Sequence, residues 1–452
     1  MKNVTVKDIV DVTGGVLLCG DESYEITNFS IDSRTTKEGD LFIPIVGEKV
    51  DSHRFIENAL QNGGATLTQQ HREKDGINPW IYVENTMQAL QKIAKWYREK
   101  MTFPVVAVTG SVGKTTTREM VTKALEAGFH VFHTEGNYNS QIGVPLTIAR
   151  MTGEEDVAVL EAGMSEFGEM SRLEPMISPK YVVFTNIGVA HIENLGSREN
   201  ICKEKMELAK NVPQDGVVFL NGDDPILMSH REDFPCKVVT YGTDETCDYY
   251  AKDIRIEQGQ TKFICVRKGE TFEIVLDVLG NHNVLNSLAA FGVAEELGLT
   301  MEQVRHQFEH FEGTRQKIHR LATYTIIDDT YNASPDSMLA SLDVLSQMAC
   351  DGKKIAVLGD MLELGEQSEE YHRTIGKAKW VQMVQEVYTF GKESKFILEE
   401  VMKNNPSIFG KHFEDREQLS AYLKLRLETG DCVLLKGSNG MKLSEVVTEL
   451  LS

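Results

Sequence analysis

Short apolar runs without alternation recur along the chain, and amphipathic stretches separate them. The clearest is Pro104 to Val108 in FPVVAVTGSVGKTTTREMVTKAL (103–125), a β-branched run that reads as a strand buried on both faces of a parallel sheet. A glycine-bearing turn follows, then Met120, Val121, Ala124 and Leu125 at helical spacing, with Gly128 placed to end the helix at C′. Similar strands are predicted in DVAVLEAGM (156–164), YVVFTNIG (181–188) and GVVFLNGDD (216–224), and later in TYTIID, KIAVLGD, EVYTFG and CVLLKG. Before residue 100, YEITNFSI and DLFIPIV alternate with helical pieces, one of them striped by Met87, Leu90, Ile93, Ala94 and Tyr97. GNHNVLNSLAAFGVAEELG (280–298) reads as an apolar helix, and Leu443, Val446, Val447, Leu450 and Leu451 stripe a closing amphipathic one. The pattern predicts an α/β chain of three domains. A small α/β N-terminal domain spans 1–100, a central P-loop ATPase-like domain with a mostly parallel sheet spans 101–312, and a C-terminal Rossmann-like domain spans 313–452.

The turn after Val108 adds chemistry to that pattern. Gly110 and Gly113 let backbone approach a phosphate, the helix N-terminus aims amides at it, Lys114 adds a charge, and the Thr115 hydroxyl suits a phosphate-bound Mg²⁺. The loop is tighter than the common P-loop, because Val108 stands where its first glycine is usual. In a doubly wound sheet, ligands gather beyond the carboxyl ends of the strands, which is where Glu161, His191 and Asp223 fall. Each alone reads equally as a solvated carboxylate or a core histidine; beside a P-loop, Glu161 and His191 suit a second divalent ion. Asn137 and Asn139 lie in GNYNSQIGVP (136–145) and serve as turn formers or as ligand contacts.

One lysine departs from the ordinary pattern. In SRENICKEKMELAKNV (197–212), Ile201, Leu208, Ala209 and Val212 form an apolar face with Lys205 near its middle. An inward ammonium must be paired, neutralised or chemically altered, unless it snorkels outward. Asn283 and Asn286 share a helical face whose amides suit an adenine edge, and Asn283 equally suits a helix cap. Between 30 and 55, Ser33, Arg34, Asp51 and His53 cluster around turns, where an arginine beside hydroxyls would suit a nucleotide diphosphate.

Composition narrows the partners. The 452 residues are 41% hydrophobic and 25% charged, ordinary for a soluble globular protein, and the net charge of −21 argues against nucleic acid or an anionic membrane as partner. No secretory signal or membrane-spanning run is expected, which points to the cytoplasm. Seven scattered cysteines without C-x-x-C pairs read as idle thiols rather than disulfides or a zinc site.

The segments DSR with GDLFIPIVGEKVDSHRF, TGSVGKTTT, GNYNSQIGVP, TNIGVAHIENLGS, KEKMEL, LGNHNVLNSLAA, DDTYNASPDSM, LGDMLELG and KGSNGMK, in that order, resemble the Mur ligase family over nearly the whole chain. The amino-terminal stretch, YNASPDSM, GDMLELG and KGSNGMK resemble the branch that adds D-alanyl-D-alanine to UDP-N-acetylmuramoyl-tripeptide in peptidoglycan precursor synthesis. The resemblance implies an ADP-forming ligase working through an acyl phosphate, with ATP and two Mg²⁺ ions as cofactors. It implies that Gly110, Ser111, Val112, Gly113, Lys114, Thr115 and Thr116 cradle the phosphates, Asn283 and Asn286 meet adenine, Asp329 meets ribose, and Arg315 reaches the phosphates when the third domain closes. Thr115 and Glu161 would hold one Mg²⁺; His191 and Lys205, the latter carbamylated to N6-carboxylysine, would hold the second. Lys114, His191, Lys205 and Arg315 are the catalytic set so implied. Ser33, Arg34, Asp51, His53, Asn137, Asn139, Tyr331, Asn332 and Ser334 are the implied substrate contacts, in a monomer. Lys317, Ser52 and Asn439 depart from the family pattern at an acidic, a glycine and an arginine position.

Competing expectations are a sibling ligase, either another Mur enzyme or a folylpolyglutamate synthetase, a P-loop kinase or GTPase, and a non-catalytic nucleotide-gated binding protein. Against a GTPase, the chain has no N-K-x-D motif.

Overall fold

The strand expected at Pro104 to Val108 forms as Val105–Thr109, buried at every position, in a computed structural model that describes all residues except Glu48 and His310. It lies parallel between Val157–Glu161 and Tyr181–Phe184, third from one edge of a nine-stranded sheet. Val108 stands opposite Glu161, so the carboxylate at the end of one strand meets the loop leaving the other. Lys114–Leu125 is the helix, and it packs beside Asn281–Glu296 in a core that includes Val121, Leu288 and Phe291.

Gly128 does not stop the helix as expected. The helix ends at Glu126, whose amide bonds to Thr122, and Gly128 has no left-handed backbone. Its glycine character serves close packing instead, since a Cβ there would come 2.6 Å from Leu299 Cδ2. The mostly parallel sheet also carries an antiparallel end that the hydrophobic pattern did not reveal: Tyr249–Glu257, Gln260–Arg267 and Glu270–Leu276. Their two-residue turns, Gln258–Gly259 and Lys268–Gly269, have positive φ at both positions, the arrangement that matches strand twist in a tight hairpin.

The N-terminal sheet orders its strands Val16–Cys19, Trp80–Tyr82, Ala65–Thr68, Asp40–Phe42 and Asn28–Ser30, antiparallel only at the first pair. Helix Thr86–Glu99 buries Leu90, Ile93, Ala94 and Tyr97, as their spacing predicts, but it does so on two sides. It packs on Val6–Thr13 and also on Gly143–Ile148 and Glu169–Ile177, so one apolar core runs unbroken from Val4 to Leu227 across residue 100.

The C-terminal sheet runs Lys317–Arg320, Thr325–Asp329, Cys432–Lys436, Lys354–Gly359, Glu386–Phe390 and Phe409–Phe413, parallel except for its first strand. Its four expected strands form, and Leu443–Leu451 closes the chain as a helix that buries Leu443, Val446, Val447 and Leu450 of the expected stripe and leaves Leu451 exposed at the chain end. Leu279 and Val189 belong to the same core as Leu345, Leu358 and Leu364, which ties the loops of the middle segment to the last one.

Candidate active site

The strand ends of the middle and C-terminal sheets face one another across a cleft of about 680 Å³. On one wall are Ser111 to Thr116, Asn137, Asn139, Glu161 and His191; on the other are Arg315, Asp329, Tyr331 to Ser334, Leu362 to Leu364, Lys436 and Ser438 to Gly440. Gly110 precedes the loop with φ near +149°, and a Cβ on it would fall 1.9 Å from Thr185 Oγ1, so only glycine fits. Thr185 Oγ1 donates to the Val112 carbonyl at 2.6 Å. Asn186 accepts from the amides of Ser111 (3.0 Å) and Val112 (2.9 Å). These two bonds fix the loop and leave the open first turn of Lys114–Leu125 as its anion-facing part. Thr185 and Asn186 were not singled out from sequence, although both lie in the TNIG strand end.

Lys114 is folded back, its ammonium donating to the carbonyls of Gly110 (2.9 Å) and Ser111 (3.2 Å). Burial lowers its pKa, Glu161 opposes that shift and Arg315 reinforces it. Glu161 is 1% exposed; Oε1 accepts from Asn139 Nδ2 at 2.6 Å, while Oε2 has no partner. Arg315 crosses the cleft to donate from Nη2 to Thr115 Oγ1 at 3.1 Å, with its guanidinium over the Tyr331 ring. Thr314 beside it bonds Glu119 on the P-loop helix.

Lys205 is 2% exposed, on the helix Arg198–Met206, and has no hydrogen bond or ion pair among the described residues. Burial, with Lys114 nearby, holds its pKa well below the lysine range. It feels Lys114 and is felt by His191, so the three groups are electrostatic neighbours although Lys205 does not line the cleft itself. His191 takes a left-handed backbone, φ 62°, and its Nδ1 lies 2.6 Å from Glu363 Oε2 in an approach out of line for a hydrogen bond.

Asp329 and Lys436 form an ion pair at 2.7 Å within the cleft, and the lysine is 1% exposed. The Lys436 ammonium also donates to the Asn332 carbonyl at 3.1 Å. Ser334 caps the helix Pro335–Gln347. Asn286 sits behind the loop, accepting from Thr117 Oγ1 at 2.9 Å and donating to Asn283 at 3.2 Å, while Asn283 donates to the Leu279 carbonyl at 2.8 Å. A Cβ on Gly113 would lie 3.0 Å from Asn286 Oδ1, so the asparagine braces the loop.

Other expected residues do not line this cleft; Asn283 and Asn286 are buried behind the loop. Asp223 accepts from the Thr243 amide at 2.9 Å and shapes its own turn. Arg34 is exposed and folded onto Asp32 (2.6 Å), with Ser33 between them in sequence. Asp51 caps the turn Ser52–Phe55 and lies 2.6 Å from Nδ1 of the buried His53, whose Nε2 accepts from the Gln69 amide at 3.2 Å. A second cavity of about 330 Å³ is lined by Asp32, Thr35 and Lys37 of the loop between Asn28–Ser30 and Asp40–Phe42, by Asp40 itself, and by Tyr138 and Arg150 from the middle segment. Asp40, 2% exposed, has an unpartnered Oδ1 there. No group of three or more His, Cys, Asp and Glu side chains suited to a metal occurs among the described residues, so any ion here needs hydroxyl, phosphate or modified-lysine oxygens as well. No described helix is long and apolar enough to cross a membrane.

Family models match three stretches that together span most of the chain. Residues 25–98 match the Mur ligase family catalytic domain, 108–294 the Mur ligase middle domain, and 314–439 the Mur ligase glutamate ligase domain. The UDP-N-acetylmuramoyl-tripeptide–D-alanyl-D-alanine ligase of Bacillus subtilis is 36% identical, over 99% of this chain and 98% of that one. The Escherichia coli protein of the same name is 30% identical over 100% and 99%. A crystal structure of MurF from Acinetobacter baumannii superposes with a TM-score of 0.91 at 28% identity, covering 99% of this chain and 98% of the other. MurF from Thermotoga maritima in complex with ADP gives 0.84 at 30% identity, covering 94% and 96%. A half-buried lysine that opens the helix after a phosphate loop, an arginine reaching the neighbouring threonine from the segment beside the third sheet, and full-length relatives under one description converge: the chain belongs to the Mur ligase family.

Proposed function

We propose that this chain is an ATP-dependent ligase that joins D-alanyl-D-alanine to the carboxylate ending UDP-N-acetylmuramoyl-tripeptide, releasing ADP and phosphate. The reading is carried by one observation: the open helix turn that begins at Lys114 on one wall of the cleft is met by Arg315 from the other, through Thr115 Oγ1. The full-length relatives of that name support the choice of amine and acceptor.

In the first half-reaction the substrate carboxylate attacks the γ-phosphorus; the new carboxyl–phosphate bond forms as the bond to ADP breaks. A loose phosphoryl transition state spreads charge over its oxygens, so catalysis is alignment and charge neutralisation. Lys114 and the amides of Gly113 to Thr116 meet that charge from one side, Arg315 from the other. Asn283 and Asn286 serve adenine, Asp329 serves ribose, and Asn137 with Asn139 line the acyl group. In the second half-reaction the amine attacks the acyl carbon and the tetrahedral adduct expels inorganic phosphate. Tyr331, Asn332 and Ser334 flank the incoming dipeptide.

The residues fit two Mg²⁺ ions. The partnerless Glu161 Oε2 and the Thr115 hydroxyl suit one, and His191 with Lys205 suits the other. When bound, Mg²⁺ supplies positive charge to the transferring phosphoryl group. A buried amine held uncharged is a nucleophile for CO₂. Carbamylation forms an N–C bond, releases one proton, and turns an unpaired buried group into an anion beside His191 and Lys114. Labelled bicarbonate is expected to give a carbamate carbon signal that Lys205→Met lacks, and bicarbonate depletion is expected to lower activity; no signal and unchanged activity would sink the modification.

Residues 1–100 are proposed to hold the UDP-sugar portion, with Ser33, Arg34, Asp51 and His53 nearby, 101–312 to hold ATP, and 313–452 to present the dipeptide and close on the nucleotide. The enzyme works as a monomer in the cytoplasm in this reading. The deciding experiment measures ATP-dependent phosphate release with the nucleotide tripeptide while amines are offered in turn. Release that depends on D-alanyl-D-alanine supports the proposal; release with a single amino acid assigns a sibling ligase.

A further inference from the structure

The cleft is rich in fixed positive charge, with Lys114, Arg315 and Lys436 on its walls. That suits phosphates and repels an incoming ammonium, so an amine substrate needs a carboxylate of its own. Four carboxylates line the cleft, and three are committed elsewhere. Glu161 holds Asn139, Glu169 accepts the amides of Ser165 and Glu166, and Asp329 is paired with Lys436. Glu363 is engaged on one side only: Oε2 lies 2.6 Å from His191 Nδ1, and its other oxygen has no partner among the described residues. Its side chain is 60% accessible, so it is open to a ligand.

The loop around Glu363 is built to aim it. Met361 and Leu364 are buried in the apolar core that also contains Val189, and the Leu362 amide donates to Ser438 Oγ at 2.9 Å, tying the loop to the wall formed by Asn439 and Gly440. Between those anchors Glu363 takes a left-handed φ of 62°, a conformation unfavourable for a residue with a Cβ and one that clusters at ligand-binding positions. Gly365 then packs with its Cα side toward Glu193, where a Cβ would lie 3.5 Å from Glu193 Cα, two residues past His191.

We propose that Glu363 binds the ammonium of the incoming amine substrate and orients its nitrogen toward the acyl group between the two walls. The proposal rests on the ligase reading above and adds to it the residue that receives the amine. It concerns binding and orientation, and the contact is made from the C-terminal segment, so it is completed when that segment is seated against His191.

The test compares the full-length wild type with Glu363→Gln and Glu363→Asp in steady-state phosphate release. Losing one charge-assisted contact is expected to raise the KM for D-alanyl-D-alanine at least about tenfold in Glu363→Gln, with partial recovery in Glu363→Asp and less than about a twofold change in the KM for ATP. Propanoyl-D-alanine, which keeps the carboxylate end but lacks the ammonium, is expected to inhibit wild type and Glu363→Gln with the same constant. An unchanged dipeptide KM, an ATP KM that rises in step, or an inhibition constant that shifts as the dipeptide KM does would each overturn the assignment. A wild type that releases no phosphate on adding the dipeptide would instead overturn the ligase reading and this proposal with it, whereas an active wild type isolates the outcome to Glu363.

Discussion

At the scale of single residues, the cleft is organised by side chains whose partners are missing or unusual. Lys205 stood out because an ammonium on an apolar helical face has no cheap solution, and the fold does bury it without a partner. Glu161 showed itself only as a strand-end carboxylate; that one oxygen is bonded and the other bare depends on Asn139, twenty-two residues away in sequence. The Asp329–Lys436 pair was equally invisible as a pair, since 107 residues separate its members. Burial works against the Asp329 carboxylate, but Lys436 prevails and lowers its pKa. A carboxylate depressed in the folded state stabilises the fold above its unfolded pKa, near 4, and loses that contribution as pH falls through the folded value. Asp329→Asn is therefore expected to cost about 3 kcal/mol at pH 7, with the gap from wild type closing between pH ~4 and the lower folded value. Urea denaturation of both proteins across that range checks the sign. A gap that widens on acidification would contradict it.

At the scale of elements, periodicity was a good guide where one face alone is buried or where both are. The strands around Val105–Thr109 and the closing helix Leu443–Leu451 were legible for that reason. The antiparallel end of the middle sheet was not, because its strands are half-exposed and mixed in pattern; the signal that would have found them was a glycine after Gln258 and after Lys268 at hairpin spacing. Gly128 failed as a helix stop because Leu299, not backbone conformation, dictates a glycine there. The helix pair Lys114–Leu125 and Asn281–Glu296 connects packing to nucleotide binding, since Asn286 on the second braces Gly113 at the head of the first. Leu288→Ala, deep in that interface, is expected to destabilise by ~2–5 kcal/mol and to raise the KM for ATP by loosening the brace. Stability lost with an unchanged ATP KM would separate the two roles.

At the scale of the whole molecule, the first and second segments share one continuous core, whereas the third meets the P-loop and its helix through polar contacts, Arg315 to Thr115 and Thr314 to Glu119, beside a smaller apolar contact at Val189 and Leu279. Polar contacts of that kind are easily exchanged for ligand contacts, so the C-terminal segment is the part expected to move. X-ray scattering is expected to show a smaller radius of gyration with nucleotide and tripeptide than without; identical curves would remove closure from the mechanism. The amino-acid order by itself determined the fully buried parallel strands and the amphipathic helices, that a phosphate loop begins the middle segment, and that one lysine faces inward, because these follow from periodicity and local chemistry. Only the tertiary structure decided which loops face one another across the cleft, that Glu161 keeps a bare oxygen, and that Ser33, Arg34, Asp51 and His53 stay outside it, since those outcomes come from contacts between residues far apart in the chain.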